Sequence, residues 1–180
     1  VLYTFDILPD ELLPLLNYAL FRLESFADLR TWVQVANYFN ICKKNSHVKF
    51  ALWSKNPWLI EECINNGYKK PKNLEIVYSS KKMNCVESNI FNLYPFIDKV
   101  FTVYTAAYAL RNNIAINCGS RKCLECKTCY TKQKKHMFIN EILKSDSTLY
   151  YSLVDEFKKD PAAAEQKLIK KLAARMRKQL

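Results

Sequence analysis

Four thiols stand within twelve residues of this chain: Cys118, Cys123, Cys126 and Cys129, spaced C-x4-C-x2-C-x2-C. Thiolates packed that densely repel one another unless a cation shares their charge, and a bound metal does so while lowering each thiol pKa. Gly119, beside the first thiol, permits a sharp backbone turn. Arg121, Lys122 and Lys127 partly offset the charge of a thiolate centre. Structural zinc usually takes two C-x2-C knuckles a dozen or more residues apart, a separation missing here. Dense cysteines on one loop are more typical of iron–sulfur clusters, so an iron–sulfur cluster is the expected cofactor and zinc the alternative. The reading without metal is reduced structural cysteines or a pair of disulfides. Cys42 and Cys63 fall on predicted helices among apolar neighbours and read as small buried hydrophobes. Cys85 falls in an irregular stretch.

A second group of residues stands where strands are expected to end. In parallel α/β folds, ligands sit at the carboxyl ends of the strands. Those ends carry Arg22, Glu24, Ser25 and Asp28, then Ser54 and Lys55, then Ser79 and Ser80, then Tyr104 and Thr105. Arg22 and Glu24 are one pleat apart and share a strand face, where a guanidinium and a carboxylate are hard to bury without a partner. The expected ligand pocket is Arg22, Glu24, Ser25, Asp28, Lys55, Ser79 and Ser80. The competing reading is capping, with Ser25 or Asp28 starting one helix and Ser54 or Asn56 the next. His47 and His136 are the only histidines, and no Ser-His-Asp or Cys-His arrangement is visible. Catalytic residues are therefore unassigned.

The elements that must position these groups alternate. Strands are predicted over 1–7, 20–24, 48–53, 74–78, 99–104 and 114–117. Helices are predicted over 9–19, 28–44, 56–66 and 106–111, with 81–94 polar and irregular. Asn56 and Pro57 suit a helix start, and Gly67 a helix end. Strand–helix alternation of this kind predicts parallel βα units: an α/β fold with an open parallel sheet or part of a βα barrel. Beyond Tyr130 the pattern changes to a basic patch (Lys132, Lys134, Lys135) and helices over 148–158 and 162–178, separated at Pro161. The organisation expected is an α/β domain over 1–117, a cysteine-rich metal segment over 118–135, and a helical segment with a basic amphipathic tail over 136–180.

Composition bounds the function classes. Hydrophobic residues are 49% of the 180, enough to build a core. Two glycines exclude a Walker loop and a GxGxxG turn. No apolar run reaches the length of a membrane span. The net charge of +11 directs attention to polyanions, and the tail carries Lys167, Lys170, Lys171, Arg175, Arg177 and Lys178 around an apolar stripe of Leu168, Ile169, Leu172, Met176 and Leu180. Nucleic acid is thus a candidate partner, against the plainer reading of a packed terminal helix with a solvated basic face. Seven cysteines without a secretory leader favour a reduced, cytoplasmic setting. A chain opening at Val1 is expected to lack an N-terminal part.

Several short phrases occur in a familiar order: 21–28 (FRLESFAD), 50–58 (FALWSKNPW), 71–74 (PKNL) with 78–80 (YSS), 98–104 (DKVFTVY) and 116–119 (INCG). Together they resemble the phage gene product 88-like proteins, over roughly residues 20–140. The resemblance implies a diverged relative of radical S-adenosylmethionine enzymes, with a βα barrel-like body and a cysteine-rich segment. It places Cys118, Cys123, Cys126 and Cys129 on the family's C-terminal cysteine motif, and Arg22, Glu24, Ser25 and Asp28 on its strand-end motif. It also implies the host-cell cytoplasm. The sequence departs from the pattern at Ala27, where glycine is expected. It also has no C-x3-C-x2-C triad. S-adenosylmethionine is therefore an expected cofactor only together with a preceding part of the protein.

Overall fold

In the computed structural model the chain is described over residues 5–25, 27–119, 122–132 and 137–177. The elements in order are β1 (Leu20–Leu23), α1 (Trp32–Lys44), β2 (Lys49–Ser54), α2 (Pro57–Asn65), β3 (Leu74–Ser79), α3 (Ile90–Leu93), β4 (Lys99–Tyr104), α4 (Ala106–Arg111), α5 (Cys123–Cys126), β5 (Phe138–Ile142), α6 (Ser147–Tyr151), α7 (Val154–Lys159) and α8 (Pro161–Arg177). The five strands lie in one sheet in the order β1-β2-β3-β4-β5. Adjacent strands from β1 to β4 pair in parallel, with Leu23 opposite Leu52, Trp53 opposite Val77, and Ser79 opposite Phe101. The Val100 N–H donates to Met137 O and the Leu143 N–H to Tyr104 O, so β5 also runs parallel to β4. This is the α/β architecture with a parallel sheet that the alternation predicts.

By contact, the described residues of 1–81, 86–101 and 121–138 form one compact unit, and those of 82–85, 102–120 and 139–180 form a second. In the first, strand alternation sorts two faces. Phe21, Leu23, Phe50, Leu52, Leu74, Ile76, Tyr78 and Val100 pack with Val35, Phe39 and Cys42 of α1 and Ile60 and Cys63 of α2. Residues of opposite parity meet on the other face. Arg22 lies over Trp53, the Trp53 and Phe101 rings are 4.6 Å apart, and Lys99 pairs with Glu75 at 3.6 Å. A sheet whose strands keep their sequence order, with right-handed crossovers, sends its helices to one face. The turn Thr128–Tyr130 packs against β2 and β3, and Lys99 Nζ donates to the Thr131 carbonyl at 2.8 Å, so the cysteine-bearing segment covers the second face. In the second unit Tyr104, Ala109 and Leu110 pack with Ile142, Leu149, Leu153 and Leu168.

Several local expectations fail for identifiable reasons. The helix expected over 9–19 is only a turn at Asp10–Leu12, because Pro14 has no N–H and clashes with the preceding turn. Buried Asn37 and Asn45 instead satisfy the backbone there, accepting from the N–H groups of Leu8 and Leu16 and donating to the carbonyls of Asp6 and Pro14. Residues 5–7 of the expected first strand are not extended into the sheet, and the rest of it lies outside the described residues. The helix expected from Asp28 begins at Trp32, capped by Thr31 Oγ1 on the Gln34 N–H. The expected strand 114–117 does not form. Asn140 of β5 binds that segment, accepting from the N–H groups of Asn117 and Cys118 and donating Nδ2–H to Ala115 O. The strand that does form, β5, reads Phe138, Ile139, Asn140, Glu141 and Ile142, with Ile139 and Ile142 buried; it has no period-2 alternation, so local pattern does not mark it as a strand. The helix expected over 148–158 is split into α6 and α7, and the irregular stretch 81–94 contains the short α3.

Candidate functional site at the strand ends

A cleft of about 220 Å³ opens at the carboxyl ends of β1, β2 and β3, lined by Arg22, Glu24, Ser25, Ala27, Asp28, Trp53, Ser54, Lys55 and Ser79. Six of the seven residues expected to form a pocket lie around it. Ser80 does not; it lies one step past the end of β3, where its N–H donates to Phe101 O at 2.8 Å. Trp53 is a lining residue that sequence reasoning missed. The signal was there: in a parallel register Trp53 has the parity of Arg22 rather than of Leu52.

The two carboxylates are both occupied within the protein. Glu24 Oε1 accepts from Gln34 Nε2 at 2.6 Å and from the Tyr38 hydroxyl at 2.5 Å, both on α1. Holding it there places Glu24 at φ 54°, the left-handed region, directly after β1. A side chain in that region is strained, and such strain is found where surrounding bonds over-determine it. The left-handed turn thus falls on Glu24, and Ala27 is not among the positive-φ residues. Asp28 Oδ1 accepts from the Leu29 N–H at 2.8 Å and Ser54 Oγ at 2.5 Å, while Oδ2 accepts from the Lys55 N–H at 3.0 Å. Ser54 Oγ in turn accepts from the Asn56 N–H at 2.9 Å. Asp28 and Ser54 therefore cap neither helix: Thr31 caps α1, α2 has no side-chain cap bond, and the two residues instead fasten the loop after β2. The cations are placed differently. The Arg22 guanidinium stacks 4.0 Å from the Trp53 ring centroid, which orients it while leaving its N–H edge available. Lys55 is exposed at the end of β2.

The cysteine segment lies beside this site. Cys123, Cys126 and Cys129 belong to the first unit and Cys118 to the second. Lys127 ends α5 at φ 55°, and Cys126 Sγ lies 3.0 Å from Thr128 Oγ1. Burial pushes the Tyr130 hydroxyl pKa up, Cys123 and Cys129 add to the rise, and Arg22 opposes it; all four groups are within electrostatic reach. Gly119 takes φ 96°, a sharp turn beside Cys118. Among the described residues, no three His, Cys, Asp or Glu side chains are gathered as a set that could hold a metal ion, so the residues as placed do not fit a four-thiolate centre. No cysteine pair among them is joined as a disulfide. Cys42 and Cys63 are buried, as expected of small hydrophobes, and Cys85 is exposed.

The basic tail is α8. Ala164 and Leu168 are buried and Leu172 packs beside them, whereas Ile169 and Met176 of the expected stripe are exposed and Leu180 lies outside the described residues. Lys167 pairs with Glu156 at 2.7 Å, Lys171 donates to Ser152 Oγ at 2.8 Å, and Arg175 pairs with Asp146 at 3.0 Å. Three cations proposed for a polyanion thus have partners within their own unit. Arg121, Lys134, Lys135, His136 and Lys178 lie outside the described residues. No helix of the described residues is long and apolar enough to cross a membrane. No protein-family model matches the chain, and neither a curated protein nor a solved structure does.

Proposed function

We propose that the chain is an α/β binding protein whose strand-end cleft takes a small oxyanion, a phosphate or carboxylate group, on Arg22 and Lys55. The observation that carries this is the internal satisfaction of Glu24 and Asp28. Both carboxylates keep their charge, but their bonds to neutral donors hold them in place, and the charged donors at the cleft are the stacked guanidinium and an ammonium, with Ser25 and Ser79 on its wall. A guanidinium fork matches two oxygens of either anion, and the net charge of +11 steers anions toward the surface. Calorimetric titration with inorganic phosphate and with acetate tests it and separates the two ligands. Arg22→Gln weakens the preferred anion roughly tenfold or more, the usual loss for a hydrogen bond to a charged group. Ser80→Ala leaves it unchanged. Absence of uptake of either anion, or equal affinity in Arg22→Gln, overturns the reading.

A second reading keeps a metal for the cysteine segment, iron–sulfur ahead of zinc. What favours it is the placement of Cys123 and Cys129 around one phenol on a segment anchored to the sheet by Lys99. What it requires is a closer approach of the thiols than the structure shows. Metal and sulfide analysis with a visible spectrum on anaerobically purified protein decides it. Iron with sulfide supports the cluster. Zinc with salt-dependent DNA binding supports a zinc-stabilised nucleic-acid module, and neither metal ends both. A radical S-adenosylmethionine reaction rests on the family resemblance alone.

A further inference from the structure

A cavity larger than the strand-end cleft lies elsewhere, wholly within the second unit. It measures about 690 Å³ and lies between α4, the 113–116 segment, α6, α7 and the start of α8. It exists because three local features leave the space unfilled. The 114–117 segment hangs on Asn140 instead of forming a strand. Pro161 starts α8 only two residues after α7 ends, so the short α7 cannot extend across the gap. Ala109 and Ala115 present no bulk. Its apolar wall comes from Leu110, Ile114, Ile116, Tyr150, Val154 and Phe157, and much of the rest of the lining is polar, from Arg111, Asn113, Lys158 and Glu165. A volume of this size with apolar walls and a few convergent polar groups is the usual form of a small-molecule site.

The charges on the lining reduce to one. Arg111 and Glu165 neutralise each other, with Arg111 Nε 3.2 Å and Nη2 2.7 Å from the Glu165 carboxylate. The pair raises the Arg111 pKa and lowers that of Glu165, so both stay ionised. Lys158 remains, with a long 3.7 Å contact to Asp155 as its one ion pair among the described residues, at an exposed position. A chamber with one apolar wall and one weakly held cation on its lining complements a ligand with an apolar body and one negative head.

We propose that the second unit binds an amphipathic monocarboxylic acid, its hydrocarbon body in the cavity and its carboxylate on Lys158. This site is independent of the strand-end cleft and does not require anion binding there. Calorimetry with octanoate, decanoate and 1-decanol below their aggregation limits tests it on the full chain. Decanoate binds about fifteenfold tighter than octanoate, since each of the two added methylenes contributes roughly a fourfold gain when buried. Decanoate also binds more tightly than decanol. Lys158→Gln abolishes the preference for acid over alcohol while leaving the chain-length dependence. Ala115→Trp, at an exposed wall position where a larger side chain fills the chamber without disturbing the core, removes binding of both, and circular dichroism shows that it folds. Equal affinity for acid and alcohol in the unaltered protein, an unchanged acid preference in Lys158→Gln, or decanoate binding undiminished in Ala115→Trp each overturns the proposal.

Discussion

The seven thiols differ by environment rather than by chemistry. Cys42 and Cys63 are fully buried beneath the sheet. Burial pushes the Cys42 thiol far above its ordinary value and that of Cys63 up to about 12, with Lys43 opposing the second rise. Both stay protonated and unreactive at neutral pH. A maleimide therefore labels exposed Cys85 and Cys123 first, and Cys42 and Cys63 only as the chain unfolds; peptide mapping by mass after brief native labelling checks this. Native labelling of Cys42 at the rate of Cys123 contradicts it. A thiol whose folded pKa is raised contributes stability that is complete below the unfolded value and is lost as pH rises above it. For Cys63 the window runs from the ordinary thiol range up to about 12. There the stability falls by about 1.4 kcal/mol per pH unit for each such thiol, and alkaline urea denaturation of Cys63→Ala shows a shallower slope than the unaltered protein.

Between elements, the decisive contact is the buried pair of Glu75 on β3 and Lys99 on β4. Their side chains are 4% and 2% exposed, so neither charge has water to fall back on. Lys99 also donates to the Thr131 carbonyl, and one ammonium thus holds the sheet and the cysteine-bearing segment together. Burial, with Asp98 adding, pushes the Glu75 carboxyl up despite Lys99. A raised acid favours folding below the ordinary carboxylate range, and that contribution is lost as pH rises through the raised value. Lys99→Met leaves Glu75 buried without its cation and destabilises by about 3–5 kcal/mol at neutral pH. The deficit shrinks as the pH falls and Glu75 takes a proton. Adding Glu75→Leu recovers most of the loss, since an apolar replacement of both partners is often neutral. Urea denaturation of the single and double variants across pH checks the prediction, and a double variant no more stable than Lys99→Met refutes it.

For the whole molecule the consequence lies in its two cores. One is built from the sheet, α1 and α2, the other from Tyr104, α4 and α6–α8. Leu168 is fully buried on α8 in the second core. Leu168→Ala costs about 2–5 kcal/mol there. Native-state hydrogen exchange then shows lost protection in α4 and α6–α8, with β1–β3 and α1 retaining theirs. Equal loss in both sets shows instead that the molecule opens as one. The net charge acts at the same scale, but Glu156 and Asp146 engage Lys167 and Arg175, so the positive field of α8 is weaker than its composition indicates.

The alternation of apolar strands and capped helices determined the parallel α/β character and the positions of β1 to β4, because local pattern and tertiary burial agree there. Strand-end position also brought Arg22, Glu24, Ser25, Asp28, Lys55 and Ser79 within reach of inference, since parallel strands deliver their carboxyl ends to one edge. Other features depended on partners distant in sequence. The occupation of Glu24 by Gln34 and Tyr38 requires α1 to pack under β1, and spacing within 20–28 carries no sign of it. Asn140 holds the expected fifth strand through its carbonyl and its side-chain amide, while the actual β5 begins more than twenty residues later. The cysteines are adjacent in sequence, yet three join one compact unit and the fourth joins the other. The cavity beside Lys158 comes from bulk missing at several separate positions, which only the folded arrangement brings around one space.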